Sequence, residues 1–106
     1  MRKVFLPEPN TRYNLSEAKT FGEIHYLTEG ISPFNTVTSL RNLECGFAKF
    51  NPDEDVLCLT GQSIGIGLAL AMAAQLFGCF IVLMFDARHN TYMERKLDFK
   101  ACNKVA

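Results

Sequence analysis

The residues best suited to chemistry stand together in Leu59-Thr60-Gly61-Gln62-Ser63-Ile64-Gly65-Ile66-Gly67. An apolar stretch precedes these glycines and an aliphatic one follows, the order expected where a strand turns into a helix. Gly61 permits a tight turn, while Gly65 and Gly67 let a ligand or a sheet approach the first helical turn. The unpaired N–H groups and the positive dipole end of such a helix suit a phosphate. Asp86 closes the next apolar stretch, where an acidic side chain can accept a hydrogen bond from a ribose hydroxyl. Thr60, Gly61, Gln62, Ser63, Gly65, Gly67 and Asp86 are therefore the candidate ligand-binding residues. The same glycines would also serve close helix packing with no ligand at all.

Other residues offer weaker chemistry. Gly61-Gln62-Ser63-Ile64-Gly65 spells G-x-S-x-G, the nucleophile-elbow pattern, but a hydrolase of that fold is far longer and only His89 follows Ser63. Ser63 reads better as a helix cap. His25, between Ile24 and Tyr26, has no partner at metal-ligand spacing and reads as a structural or partly exposed histidine. Asp86, Arg88 and His89 form a polar turn, and Asp53-Glu54-Asp55 reads as a solvated loop. Cys45, Cys58, Cys79 and Cys102 are widely spaced with no CxxC, which argues against zinc. Cys45, Cys58 and Cys79 have apolar neighbours, where a free thiol behaves as a small hydrophobe. With no N-terminal signal peptide, since Val4 to Leu6 stops at Pro7, the expectation is a reduced cytoplasmic protein.

These groups need elements to hold them. Lys3 to Leu6 is a short strand ended by Pro7-Glu8-Pro9-Asn10. Asn14-Leu15-Ser16-Glu17-Ala18 resembles a helix start. Ile24 to Leu27 is predicted as a strand, and Asn35 or Thr36 as the cap of a helix reaching about Phe50. Its apolar face is Val37, Leu40, Leu43, Phe47 and Phe50. Val56 to Leu59 is a buried strand.

Ile64 to Phe85 is long enough to span a bilayer as one helix, with acidic residues before it and basic ones after. Its composition changes at Gly78, however. Ser63 to Phe77 is rich in helix-favouring Ala, Leu and Met, whereas Cys79 to Phe85 is aromatic and branched. A helix ending at Gly78 and a buried parallel strand give the same apolar run without a membrane. Tyr92 to Phe99 then folds back as an edge strand, where Glu94, Arg95 and Lys96 discourage edge-to-edge pairing.

The alternation predicts an α/β fold: a small Rossmann-like, mixed but mainly parallel sheet with flanking helices and a C-terminal β-hairpin, one domain over residues 1–106. The 106 residues carry 11 basic and 11 acidic side chains, 48% hydrophobic and 21% charged residues. That composition excludes wholesale disorder, and the charge balance excludes an electrostatically driven nucleic-acid binder.

At Thr60, Gly61, Gly65 and Gly67 the chain resembles the cofactor-binding opening of short-chain dehydrogenases, T-G-x-x-x-G-x-G, over residues about 55–90. The resemblance implies glycines on a pyrophosphate and Asp86 on an adenosine ribose. That family's catalytic Tyr-x-x-x-Lys belongs far downstream; Tyr92 and Lys96 have the spacing but fall in the hairpin strand. The whole chain also resembles small uncharacterised bacteriophage proteins, through its basic start, Phe21-Gly22-Glu23-Ile24-His25-Tyr26-Leu27, Ser32-Pro33-Phe34-Asn35-Thr36 and Asp55-x-Leu57-x-Leu59-Thr60-Gly61. This implies an accessory protein acting inside a host bacterium.

Two functions follow as expectations. One is a non-catalytic Rossmann-like module that binds a protein partner or its own copy. The other is a nucleotide- or phosphate-binding domain using Gly61 to Gly67. No cofactor is specified, and a single-pass membrane protein spanning 64–85 is the remaining alternative.

Overall fold

A computed structural model describes residues 2–9 and 15–102. Five strands, β1 (Lys3–Leu6), β2 (Glu23–Tyr26), β3 (Val56–Cys58), β4 (Cys79–Asp86) and β5 (Thr91–Asp98), form one sheet in the order β2-β1-β3-β4-β5. The first four in that order run parallel, and β5 is antiparallel to β4. The connection from β1 to β2 carries a short 3-10 turn, Ala18–Phe21. Helix α1 (Thr36–Gly46) joins β2 to β3, helix α2 (Ser63–Phe77) joins β3 to β4, and the four-residue α3 (Phe99–Cys102) follows β5. This is the mixed, mainly parallel α/β sheet with flanking helices and a terminal hairpin that the alternating pattern implied.

The pleat sorts the core into two layers. Phe5, Leu57, Phe80 and Val82 face α1 and α2, meeting Leu43, Phe47, Ala69, Met72 and Ala73. Val4, Leu6, Val56, Cys58, Leu83 and Tyr92 face the other way, under Leu15, Ala18 and Phe21. Connections leaving β1 and β3 thus cross opposite faces of the sheet. Strand order reverses between these neighbours, and their C-terminal ends open the crevice where doubly wound sheets place ligands.

The apolar run 64–85 is two elements. Gly78 has φ +75° and its N–H donates to Ala74 C=O at 3.0 Å, ending α2 as a left-handed cap that L side chains disfavour. No helix among the described residues is long and apolar enough to cross a membrane, which argues against the alternative of a single helix spanning 64–85.

Several local expectations are corrected. β2 begins and ends one residue earlier than the pattern implied, although Leu27 still donates its N–H to Leu6 C=O. Asn35, not Thr36, caps α1, its side chain accepting from Thr38 N–H. After Gly46 the chain tightens into a 3-10 turn at Phe47–Lys49, bringing Phe47 and Phe50 edge-to-face. Val37 is 67% exposed because it lies in the first turn of α1, where the sheet does not reach. Of the cysteines with apolar neighbours in sequence, Cys58 is buried, Cys79 half-buried and Cys45 exposed.

Asp55 is no solvated acid. It is buried, accepting from Lys3 N–H and Asn51 N–H at 2.9 and 2.8 Å, and so ties the start of β1 to the turn before β3. The expected helix start at 14–18 is a 3-10 turn beginning at Ala18, and Asn14 lies outside the described residues.

Candidate functional site

The crevice is built from the residues that follow β1 and β3. Pro7 and Glu8 leave β1, while Leu59 to Gln62 leave β3 and deliver the chain to α2. Thr28, beyond β2, is drawn in when its N–H and hydroxyl both donate to Pro7 C=O, at 3.2 and 2.8 Å. This leaves the Glu8 carboxylate pointing inward, with the residue only 6% exposed.

A buried carboxylate is costly unless its oxygens are hydrogen-bonded. Here both are. Oε2 accepts from Ile31 N–H at 2.6 Å, and Oε1 accepts from Gln62 Nε2 at 2.8 Å. One side chain thereby fastens the loops after β1, β2 and β3 to each other. Sequence reading missed it. The only local signal was a glutamate held between Pro7 and Pro9, directly after a strand.

The proposed glycine loop has the expected strand-turn-helix form, with varied fates for its members. Thr60 is buried, and its hydroxyl accepts from Cys58 Sγ at 4.0 Å. Burial pushes the Cys58 thiol up to about 11, the Thr60 contact offsetting part of the rise, so this thiol is inert. Gly61 has φ +116°, a conformation that only glycine adopts readily. Gln62 occupies the N-cap of α2 but makes no side-chain cap, its amide being spent on Glu8. Ser63 is the first helical residue and likewise makes no cap, contrary to its reading as the capping side chain.

Gly65 is buried, and a Cβ there would stand 3.1 Å from Ile31 Cδ1 and 3.9 Å from Pro7 Cβ. Its bareness accommodates the neighbouring loop. Gly67 is exposed, with nothing within 4 Å of a Cβ.

Asp86 ends β4. It and Gly61 each lie three residues past the Cys58↔Leu83 pair, so the two occupy the same end of neighbouring strands. Its carboxylate serves its own hairpin turn: Oδ1 accepts from Arg88 N–H at 3.0 Å, and Oδ2 lies 2.7 Å from His89 Nδ1. The His89 contact holds the Asp86 carboxyl below its ordinary value. Asn90, with φ +51°, completes the turn.

Elsewhere, a groove of about 620 Å³ runs between β2 and α1, bordered by His25, Leu27, Asn42, Cys45 and Lys49. His25 stacks on Phe5 at 5.4 Å, and its Nε2 lies 2.9 Å from Glu23 Oε1 without hydrogen-bond direction. No group of three His, Cys, Asp or Glu side chains among the described residues is disposed to hold a metal.

The chain matches the family model described as Phage Pam3 gp32-like protein over residues 2–99, and it belongs to that family. The likeness to small bacteriophage proteins is thereby supported; nothing in this match carries the likeness to dehydrogenases. No curated protein and no solved structure matches the chain.

Proposed function

We propose that this phage-family chain is a non-catalytic interaction module, acting in the host cytoplasm through its surface rather than through a ligand in the crevice. The observation that carries this reading is Glu8. The crevice where a doubly wound sheet would receive a phosphate already contains a carboxylate with both oxygens bonded internally. An arriving polyphosphate would meet like charge, and it would have to displace the Gln62 amide. Gly65 is filled against by Ile31, so its lack of a side chain is accounted for without a ligand. Phe34, 97% exposed beside the start of α1, adds an apolar side chain of the kind that partners cover.

The competing use of Thr60 to Gly67 and Asp86 as a nucleotide site is tested by thermal-shift titration. NAD, NADP, ATP, cyclic nucleotides and S-adenosylmethionine are each expected to leave the melting temperature unchanged. A saturable rise with any of them, abolished in Gly67→Val where there is room for the side chain, would replace this reading with ligand binding.

A further inference from the structure

Among the described residues, strand β5 is the last on its side of the sheet. The direction of its backbone groups follows from β4. Leu59 N–H donates to Leu83 C=O at 2.9 Å, so Leu83 turns its peptide groups toward β3. Val82 and Met84 therefore turn theirs toward β5, where they meet Arg95 and Met93. The residues between, Glu94 and Lys96, direct their N–H and C=O groups outward. Arg95 confirms this, since its Nη1 donates to Glu94 C=O at 2.6 Å.

We infer that β5 pairs antiparallel with β5 of a second copy, about a two-fold axis at Arg95. An axis normal to the sheet keeps each side chain on its own face, so residues of equal parity oppose one another. A seam centred on Glu94 opposes two glutamates, and one centred on Lys96 opposes two lysines and sets Glu94 against Asp98. Centring on Met93 or Leu97 shortens the seam and loses the Glu94–Lys96 pairing.

Centred on Arg95, Glu94 faces Lys96 of the second copy twice, through the outward-pointing peptide groups, its carboxylate shared with Arg2 of its own copy, and Met93 faces Leu97 twice. The row Met84, Met93, then Leu97 and Phe80 of the second copy is apolar from one molecule into the next. Arg95 is the brake. It opposes itself at the axis, and in the single copy its guanidinium occupies the Glu94 carbonyl that the seam needs. The three charges read from sequence as a bar to pairing thus select one register and weaken it.

This inference rests on the reading of the chain as an interaction module. Sedimentation velocity on the full chain is expected to show a concentration-dependent dimer, tightened several-fold in Arg95→Thr. Lys96→Glu, at an exposed position, turns two attractions into repulsions, tempered by the Arg2 that each Glu94 already holds, and weakens the dimer several-fold. In a Cys45→Ser background, Arg95→Cys is expected to oxidise to a cross-linked dimer, because non-hydrogen-bonded partners bring their Cα atoms within disulfide reach. Monomer at every concentration in both the parent chain and Arg95→Thr overturns the seam, as does cross-linking through Glu94→Cys but not Arg95→Cys. Either failure leaves the interaction reading intact. A saturable nucleotide shift defeats that reading and leaves the seam.

Discussion

At the ends of β1, β2 and β3, the buried polar side chains are answered from inside the molecule: Glu8 by Ile31 and Gln62, Thr60 by Cys58, Thr28 by Pro7. Along β5, Arg2 answers the Glu94 carboxylate, but Glu94 and Lys96 aim their peptide groups away from the sheet, and the nearest answer to one carbonyl is a neighbouring arginine. The first region carries the more suggestive sequence, with three glycines in a familiar spacing. The second is a plain charged strand. Their difference shows that residue types declare a backbone requirement without declaring who meets it. A glycine that admits a phosphate also admits Ile31, and a charged edge that repels one register attracts another.

Removing the internal answer is the most forceful way to break this contrast. Glu8→Ala leaves the buried Ile31 N–H without its acceptor and releases Gln62, at an expected loss of about 3 kcal/mol in urea unfolding. Glu8→Gln is expected to lose less, because its amide oxygen still accepts from Ile31 N–H and its NH2 meets the Gln62 amide, which can turn its oxygen to accept. A loss under about 0.5 kcal/mol in Glu8→Ala would mean that the three loops hold together without this carboxylate, and the crevice would be open after all.

Much of the fold was legible because composition changes where the structure does. Gly78 divides helix-formers from strand-formers, and the 87–90 turn separates two strands of matching length. Less was legible where burial depends on distant neighbours. Val37 repeats the helical spacing of Leu43, but the pattern cannot tell how far a sheet extends beneath a helix. Asp53, Glu54 and Asp55 look alike in sequence, and the third is set apart by accepting from the distant Lys3 N–H as well as from Asn51 N–H in its own turn. The candidate site was half legible for the same reason. Strand, turn and helix over Leu59 to Gly67 follow from local residues. The partners that decide its use, Glu8 and Ile31, lie far away in the chain, and no local spacing announces them.

The three glycines, which look equivalent in the sequence, should separate on substitution. Gly61→Ala places a side chain on a backbone with φ +116° and is expected to lose about 1–2 kcal/mol. Gly67→Ala meets nothing within 4 Å and sits inside an exposed helical turn, so it is expected to gain about 0.5–1 kcal/mol from helix propensity alone. Denaturant midpoints at constant slope give both values. If Gly67→Ala were destabilising, the motif would be constrained by something other than backbone and packing, and the contrast drawn above would weaken.

The smallest effect belongs to Asp86, whose carboxylate lies between the two regions and is answered by its own turn. His89 holds its folded-state value below the ordinary 3.8. A depressed carboxyl adds stability that is complete above the unfolded value and disappears as pH falls through the folded one. Asp86→Asn should therefore differ from the parent chain near neutral pH, and the difference should vanish in the acid range below about 3.8. Because the turn is solvent-exposed, the change is expected to be small and to shrink with added salt. His89→Ala should reproduce the same acid-range convergence, since it removes the principal contact. A pH profile for Asp86→Asn running parallel to the parent's, without convergence, would detach Asp86 from His89 and return its carboxylate to the crevice as a group still waiting for a partner.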